Sequence, residues 1–259
     1  MKHLIAGLLL IYLLVLLGLA WLPPYTHVHP GPEIRAGARP ELPVDAPDFR
    51  KIKPVEARKE TFFAFMRPLV AYQNAFYGQE RHRLRAIIAK LDAGQQLSRS
   101  DRRKLAYWSN KFHLDAELDL SAQIDLLQRR LHRIPEAMVL AQAATESAWG
   151  RSRFAREGNN YFGQWCYDVG CGLVPSKRGA KAKHEVRNFE SALAAVRAYF
   201  ININTHRAYQ SLREKRLALE QNGEDISAHT LVGELENYSQ RGQPYIKELR
   251  QIIRGNELE

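Results

Sequence analysis

Eight of the twelve prolines in this 259-residue chain fall between Pro23 and Pro54, in "PPYTHVHPGPEIRAGARPELPVDAPDFRKIKP". Proline fixes φ and has no amide hydrogen, so no helix runs through this stretch, and no hydrophobic period marks it as a strand. Residues 23–54 therefore read as a stiff, extended tether, rising about 3.1 Å per residue where it is polyproline-like. The tether divides the chain. What precedes it is a separate element, and the folded body must come after it.

The preceding element opens with Lys2 and His3 and continues with nineteen uncharged residues, Leu4 to Leu22. Residues 1–22 fit either a membrane anchor or a cleavable signal peptide, and both imply export. Gly18 and Ala20 suit a cleavage site, whereas Trp21 and the Pro23-Pro24 pair are awkward for a peptidase. No Lys or Arg follows until Arg35, so the positive-inside rule keeps the N-terminus in the cytoplasm and sends the bulk of the chain out. The expectation is a periplasmic protein, either anchored to the inner membrane or released by cleavage. A formal charge of +10 calls for an anionic partner. Export removes nucleic acid from the candidates and leaves anionic lipid or cell wall.

The only two cysteines, Cys166 and Cys171, read in an oxidising compartment as a disulfide closing a short loop. A zinc site would need further Cys or His ligands at regular spacing, so neither metal nor cofactor is expected.

From Val55 the apolar residues take helical spacing. Phe62, Phe65, Leu69 and Tyr72 form one series and Leu84, Ile87, Ile88 and Leu91 another, which predicts two amphipathic helices. "LSRSDRRKLAYWSNKF" adds a third with Ser100 as its cap, and "DLSAQIDLLQRRLHRIP" a fourth, completing a helical region over 55–133. Arginines clustered here (Arg81, Arg83, Arg85, Arg99, Arg102, Arg103, Arg129, Arg130) read as a solvated face rather than a polyanion groove. Pro135 then opens a helix that Gly150 is placed to close. "GNNYFGQWCYDVGCGLVP" is glycine-rich and aromatic, "KRGAKAKH" is a basic loop, and "HEVRNF" suits a short strand. Helices resume at Leu193, Val196, Phe200 and Ile203, at Leu231, Leu235 and Tyr238, and at Ile246, Leu249 and Ile253. The fold class is mainly α, with a small irregular or β insertion.

One acid stands out. In "AQAATESAWG", Glu146 shares a helical face with Val139, Gln142, Ala143 and Trp149, which do little to solvate a charge. Such a carboxyl has a raised pKa, as a general acid requires, and the small alanines leave room for a substrate. An acid that merely bonds to amides near Asn159 and Asn160 fits the same residues, and the local pattern leaves both roles open.

The longer segment "AQAATESAWGRSRFAREGNNYFGQW" resembles the active-site region of the family 73 glycoside hydrolases, the bacterial N-acetylglucosaminidases, and within them the Bax-type exported proteins of Gram-negative bacteria. The resemblance continues through "GQWCYDVGCGLVP", "HEVRNFESALAAVRAYFININTHRAYQSLR" and "YSQRGQPYIKELRQIIRGN", roughly residues 134 to 256. It implies a lysozyme-like α+β catalytic domain over 134–259, with a cleft between a helical lobe and a small β-lobe at about Tyr161 to Phe189. It also implies cleavage of the β-1,4 bond after N-acetylglucosamine in peptidoglycan glycan strands. Glu146 matches the family's catalytic glutamate, the proton donor. Tyr238, in "YSQRGQPY", matches a cleft tyrosine, although Ser-Gln-Arg-Gly-Gln stands where the family often has Ala-Thr-Asp. Glu185 corresponds to the β-lobe glutamate proposed as second carboxylate, with Asp168 in reserve; attack by the substrate's own N-acetyl group would need neither.

Within the expected site, Tyr161, Phe162 and Trp165 suit a sugar platform, while Trp149 suits the core. Asn159 and Asn160 suit either the N-acetyl group or a loop cap. The basic loop Lys177 to Lys183 suits stem-peptide carboxylates or plain solvation. Two other activities compete with the hydrolase: a lytic transglycosylase, whose helix-borne "ES" is similar, and a non-catalytic wall-binding protein.

Overall fold

The computed structural model describes residues 42–176, 178, 179 and 182–259. The apolar run Leu4–Leu22 and most of the tether lie outside the described residues. Among the described residues no helix is long and apolar enough to cross a membrane.

The two helices expected after Val55 are one, α1 (Val55–Asp92). Its buried positions Phe62, Phe65, Met66, Leu69, Gln73, Phe76, Tyr77, Glu80, Leu84 and Ile87 form a continuous stripe at three- and four-residue spacing. The two apolar series are therefore one face, bridged by polar residues that are also buried. Pro68 lies inside α1 without ending it, because burial of the stripe outweighs the one backbone bond it removes.

Helix α2 (Arg99–Lys111) starts at Ser98 rather than at Ser100. Ser98 Oγ accepts from the Asp101 amide at 3.1 Å and the Asp101 carboxylate accepts from the Ser98 amide at 3.0 Å, a capping box closed by Asp instead of Glu or Gln. Helix α3 (Leu120–Arg130) is capped by Asp119.

Helix α4 (Glu136–Glu146) lies at the centre, packed on α1 along one side, with Ala137 to Ala144 all buried. It stops four residues before the glycine expected to stop it. Ala148, Trp149 and Gly150 follow with φ of 52°, 60° and 73°, a left-handed turn that reverses the chain just past Glu146. Gly150 is required there twice over, since a Cβ would also stand 2.2 Å from the Phe49 ring.

Helix α5 (Arg153–Gly158) leads to three short strands, β1 (Trp165–Cys166), β2 (Gly172–Leu173) and β3 (Glu185–Arg187). Strand β3 is central and antiparallel to both neighbours, with Cys166 opposite Glu185 and Val186 opposite both Trp165 and Leu173. Helix α6 (Ala192–Thr205) and a 3-10 turn lead into α7 (Gln210–Gln221), which the sequence did not announce. Its buried side holds Arg213 and Arg216 beside Leu212 and Leu217, and those charges blur the period. The helix expected through Leu231, Leu235 and Tyr238 is only α8 (Ala228–Leu231) and a 3-10 turn, Val232–Glu234. Helix α9 (Gln243–Gly255) closes the fold against α4.

Residues 55–133 join the residues that follow them: α1 packs on α4 and α6, and their side chains share one core. The tether does not reach Pro54. Leu42 and Ile52 pack on the core, and Phe49, 1% exposed, meets Phe62 and Phe65 edge-on at 5.5 and 6.0 Å. The solvated arginine face also needs correction. Arg99, Arg102 and Arg103 are exposed, but Arg81 is buried, donating to the Gln128 and Leu131 carbonyls and pairing with Glu220. Arg130 donates to the Phe112 carbonyl.

If residues 42–54 belong to the core, Phe49→Ala should cost about 3–5 kcal/mol of stability, as for a buried phenylalanine elsewhere. Urea unfolding of the two chains measures it; an unchanged midpoint would return Phe49 to a free tether.

Candidate active site

Glu146 is the last residue of α4 and is half-buried where the helix meets the left-handed turn. Burial pushes its pKa up; a hydrogen bond from Tyr245 opposes that, Glu248 adds like-charge repulsion and Arg241 attraction. The carboxyl thus favours its proton while one donor stands ready for the ionised form.

The donor is set by a directional chain. Tyr199 donates its hydroxyl hydrogen to Gln142 Oε1, and Gln142 Nε2 donates to the Tyr245 oxygen at 3.1 Å. With that oxygen already accepting, the Tyr245 hydrogen is left for another acceptor, and Glu146, one helical turn beyond Gln142, is the group whose ionised form Tyr245 favours. The Tyr238 ring stacks parallel to Tyr245, centroids 5.8 Å apart, and its hydroxyl donates to the Phe162 carbonyl at 2.9 Å. Tyr209 follows at 5.9 Å from Tyr238. Burial pushes the pKa of all four tyrosines up, so they stay neutral beside the acid.

The β-lobe loop passes directly against the carboxyl. Gly163 has φ +64°, and a Cβ there would lie 3.3 Å from Glu146 Oε2. Asn160 shapes this loop: its amide hydrogens go to the Gln164 and Arg187 carbonyls, both at 2.8 Å, and its oxygen accepts from the Phe162 and Gln164 amides. Fully used and 1% exposed, Asn160 caps the loop and has no hydrogen left for an N-acetyl group. Asn159, left-handed at the end of α5, donates to the Phe189 carbonyl at 3.0 Å. Asn160 is thus committed to the loop, while half-buried Asn159 spends one amide hydrogen on the loop.

The expected sugar platform shrinks to one ring. Tyr161 is 1% exposed and packs near Phe62 and Phe65, and Phe162 is 2% exposed and stacked on Tyr199 at 4.3 Å, because both face the helical core. Trp165 is 53% exposed and stacked on His184 at 4.2 Å. Trp149 packs against Phe62 and Phe63, as its core assignment required.

Glu185 sits on β3 with its two oxygens accepting from the Gly170 and Gly172 amides at 3.1 and 2.8 Å. Those two bonds lower its pKa. The loop so clasped is the one closed by the Cys166–Cys171 disulfide, whose Cα atoms are 6.2 Å apart. The two sulfurs and the Glu185 carboxylate lie within 4.8 Å of one another, but sulfurs bonded to each other are not a thiolate metal set. Asp168 is exposed at the loop tip. In the basic loop, residues 177, 180 and 181 lie outside the described residues.

Gln142 lies on the acid's face and Tyr245 in the stretch "YSQRGQPY", but no spacing in the sequence announces the hydrogen-bond chain that links them. Its signal was a lone glutamine among alanines, which must find partners when buried. Asn160→Ala, which orphans several buried backbone groups at once, should cost about 2–4 kcal/mol; thermal and urea unfolding report it, and a loss below half of the lower figure would sink the cap assignment.

Residues 123–258 match the family model described as Glucosaminidase, mannosyl-glycoprotein endo-beta-N-acetylglucosaminidase. Protein bax of Escherichia coli (strain K12) is 32% identical over 212 residues, covering 82% of this chain and 74% of that protein. No solved structure matches the chain significantly. With the helix-end acid, the small three-stranded lobe and this similarity together, the chain belongs to the glucosaminidase family and is a Bax-type member of it.

Proposed function

We propose that this protein is an exported peptidoglycan hydrolase that cleaves the β-1,4 bond after N-acetylglucosamine, with Glu146 as proton donor. The observation that carries the reading is a half-buried carboxyl at the end of a buried helix, raised in pKa by burial and provided with a hydrogen-bond donor for its ionised form. The uncharged Leu4–Leu22 run supports export, and a charge of +10 suits an anionic wall.

In this mechanism the neutral Glu146 carboxyl gives its proton to the leaving glycosidic oxygen as the bond breaks. The carboxylate left behind accepts from Tyr245 and lies in the field of Arg241, which holds the charge until a proton returns. Tyr238 acts through Tyr245 and Phe162, fixing the acid's partner and the neighbouring loop. Glu185 enters as a fixed negative charge that holds the β-lobe. Its lowered pKa makes it a weak base, which favours attack by the substrate's N-acetyl group over water activation by a second acid.

Digestion of sacculi should release fragments with N-acetylglucosamine at the reducing end; anhydro-muramyl ends would make the protein a transglycosylase, and binding without release a wall-binding module. Glu146→Gln should lower turnover by about 10²–10⁴-fold. Because the protonated acid is the active form and its pKa lies above the usual glutamate value, activity should hold through mildly acidic pH and fall as pH rises past that pKa. Tyr245→Phe removes a bond that favours the ionised form, so the falling limb should move to higher pH while kcat drops; an unmoved limb would separate Tyr245 from the acid.

A further inference from the structure

Eight large hydrophobic side chains are exposed among the described residues, and four of them, Trp165, Tyr167, Val169 and Val174, fall within ten residues of the β-lobe. Clustering of this kind marks a contact surface rather than scattered surface apolarity. The segment that displays it is also the most heavily braced in the lobe. The disulfide closes the loop from Cys166 to Cys171, Glu185 clasps the Gly170 and Gly172 amides, and the Cys171 amide turns back to the Asp168 carbonyl at 3.1 Å. Tyr167 is nonetheless 69% exposed. A rigid support with a bare ring binds without paying to order itself.

Position identifies the occupant. Gly163, against the Glu146 carboxyl, is two residues ahead of Trp165 and four ahead of Tyr167, so the chain length keeps both rings near the acid. Trp165 opens β1 and Tyr167 follows just past the end of that strand, in the loop the disulfide closes, so two exposed rings stand two residues apart in the chain on either side of the bridged Cys166. His184 covers one face of Trp165 and leaves the other open. Two exposed rings with polar edges, following closely on the loop that lies against the acid, suit the apolar faces of successive sugars.

We propose that Trp165 and Tyr167 form an aromatic track that holds the glycan strand beyond the bond being cut, with the disulfide loop as its rigid mount. The track rests on the hydrolase reading for its substrate and adds a length preference: strands that reach Tyr167 bind better than oligosaccharides that end before it.

The test compares the full chain with Tyr167→Ala and Tyr167→Phe on peptide-free long glycan strands and on a short oligosaccharide of the same repeat. On long strands Tyr167→Ala should raise KM about tenfold with kcat held, as expected for loss of one stacked ring. Tyr167→Phe should restore binding, and the short oligosaccharide should show less than a twofold change in KM. Replacing both cysteines by serine should raise KM on long strands in the same sense. An unchanged KM on long strands, or an equal rise on short ones, would overturn the track. Co-sedimentation of Glu146→Gln protein with insoluble peptidoglycan, with and without Tyr167→Ala, reads the track without turnover. Loss of binding there supports the track even if the wild-type chain cuts nothing, whereas equal binding by both overturns it even if the wild-type chain is active.

Discussion

Gln142 lies fully buried in the middle of the helix that carries Glu146, and an amide cannot be left there unpaired. Tyr199 from α6 and Tyr245 from α9 satisfy it, one as donor and one as acceptor. That requirement fixes how the two outer helices lie on α4, since a slip of either leaves a buried amide or hydroxyl orphaned, at a cost of about 1–3 kcal/mol each. The site inherits its geometry from this constraint. Once Tyr245 is held by Gln142, its hydroxyl favours the ionised form of Glu146, its ring receives Tyr238, and Tyr238 in turn ties the Phe162 carbonyl and the loop over the acid.

A second polar network holds the scaffold from the other side. Arg81 and Arg216 are buried cations whose guanidinium groups cap backbone carbonyls. Arg81 serves the carbonyls of Gln128 and Leu131, and Arg216 those of Arg129 and Arg133, all around the C-terminal end of α3 where the helix dipole favours positive charge. Glu220 from α7 supplies the carboxylate to Arg81 and Arg85. His132, beside it, is kept neutral because burial and the neighbouring Arg216 push its pKa down to about 4. These contacts join α1, α3 and α7, which is why the N-terminal helical region and the glucosaminidase region share one core.

Much of this architecture was legible in the chain. The period of α1, the Pro135 start of α4, the β-lobe segment and the Pro244 start of α9 are written in apolar spacing and breakers, which act locally. The errors fall where a buried polar residue stands in for an apolar one. Gln73 and Glu80 hid the continuity of α1, and Arg213 and Arg216 hid α7. The site divides the same way. Glu146 was visible because its helical neighbours are small and apolar. The cap role of Asn160 and the burial of Tyr161 and Phe162 depend on where a loop closes in space, and no spacing rule carries that. Phe49 is the extreme case, a residue in a proline-rich stretch recruited by Gly150 a hundred positions later.

The β-lobe is held differently from the helices around it. Its strands are two or three residues long, and between Gln164 and Arg187 the only buried large apolar side chain among the described residues is Val186. It cannot rely on a core, so the disulfide, the Asn160 cap and the Glu185 clasp carry it. The electrostatic result is a pair of carboxyl groups with opposed surroundings. Burial on the helical side shifts Glu146 toward its protonated form, and amide bonds on the lobe side shift Glu185 toward its ionised form. Packing thus raises the pKa of one acid and bracing lowers that of the other, so the opposed settings of the two carboxyl groups follow from how each lobe is stabilised.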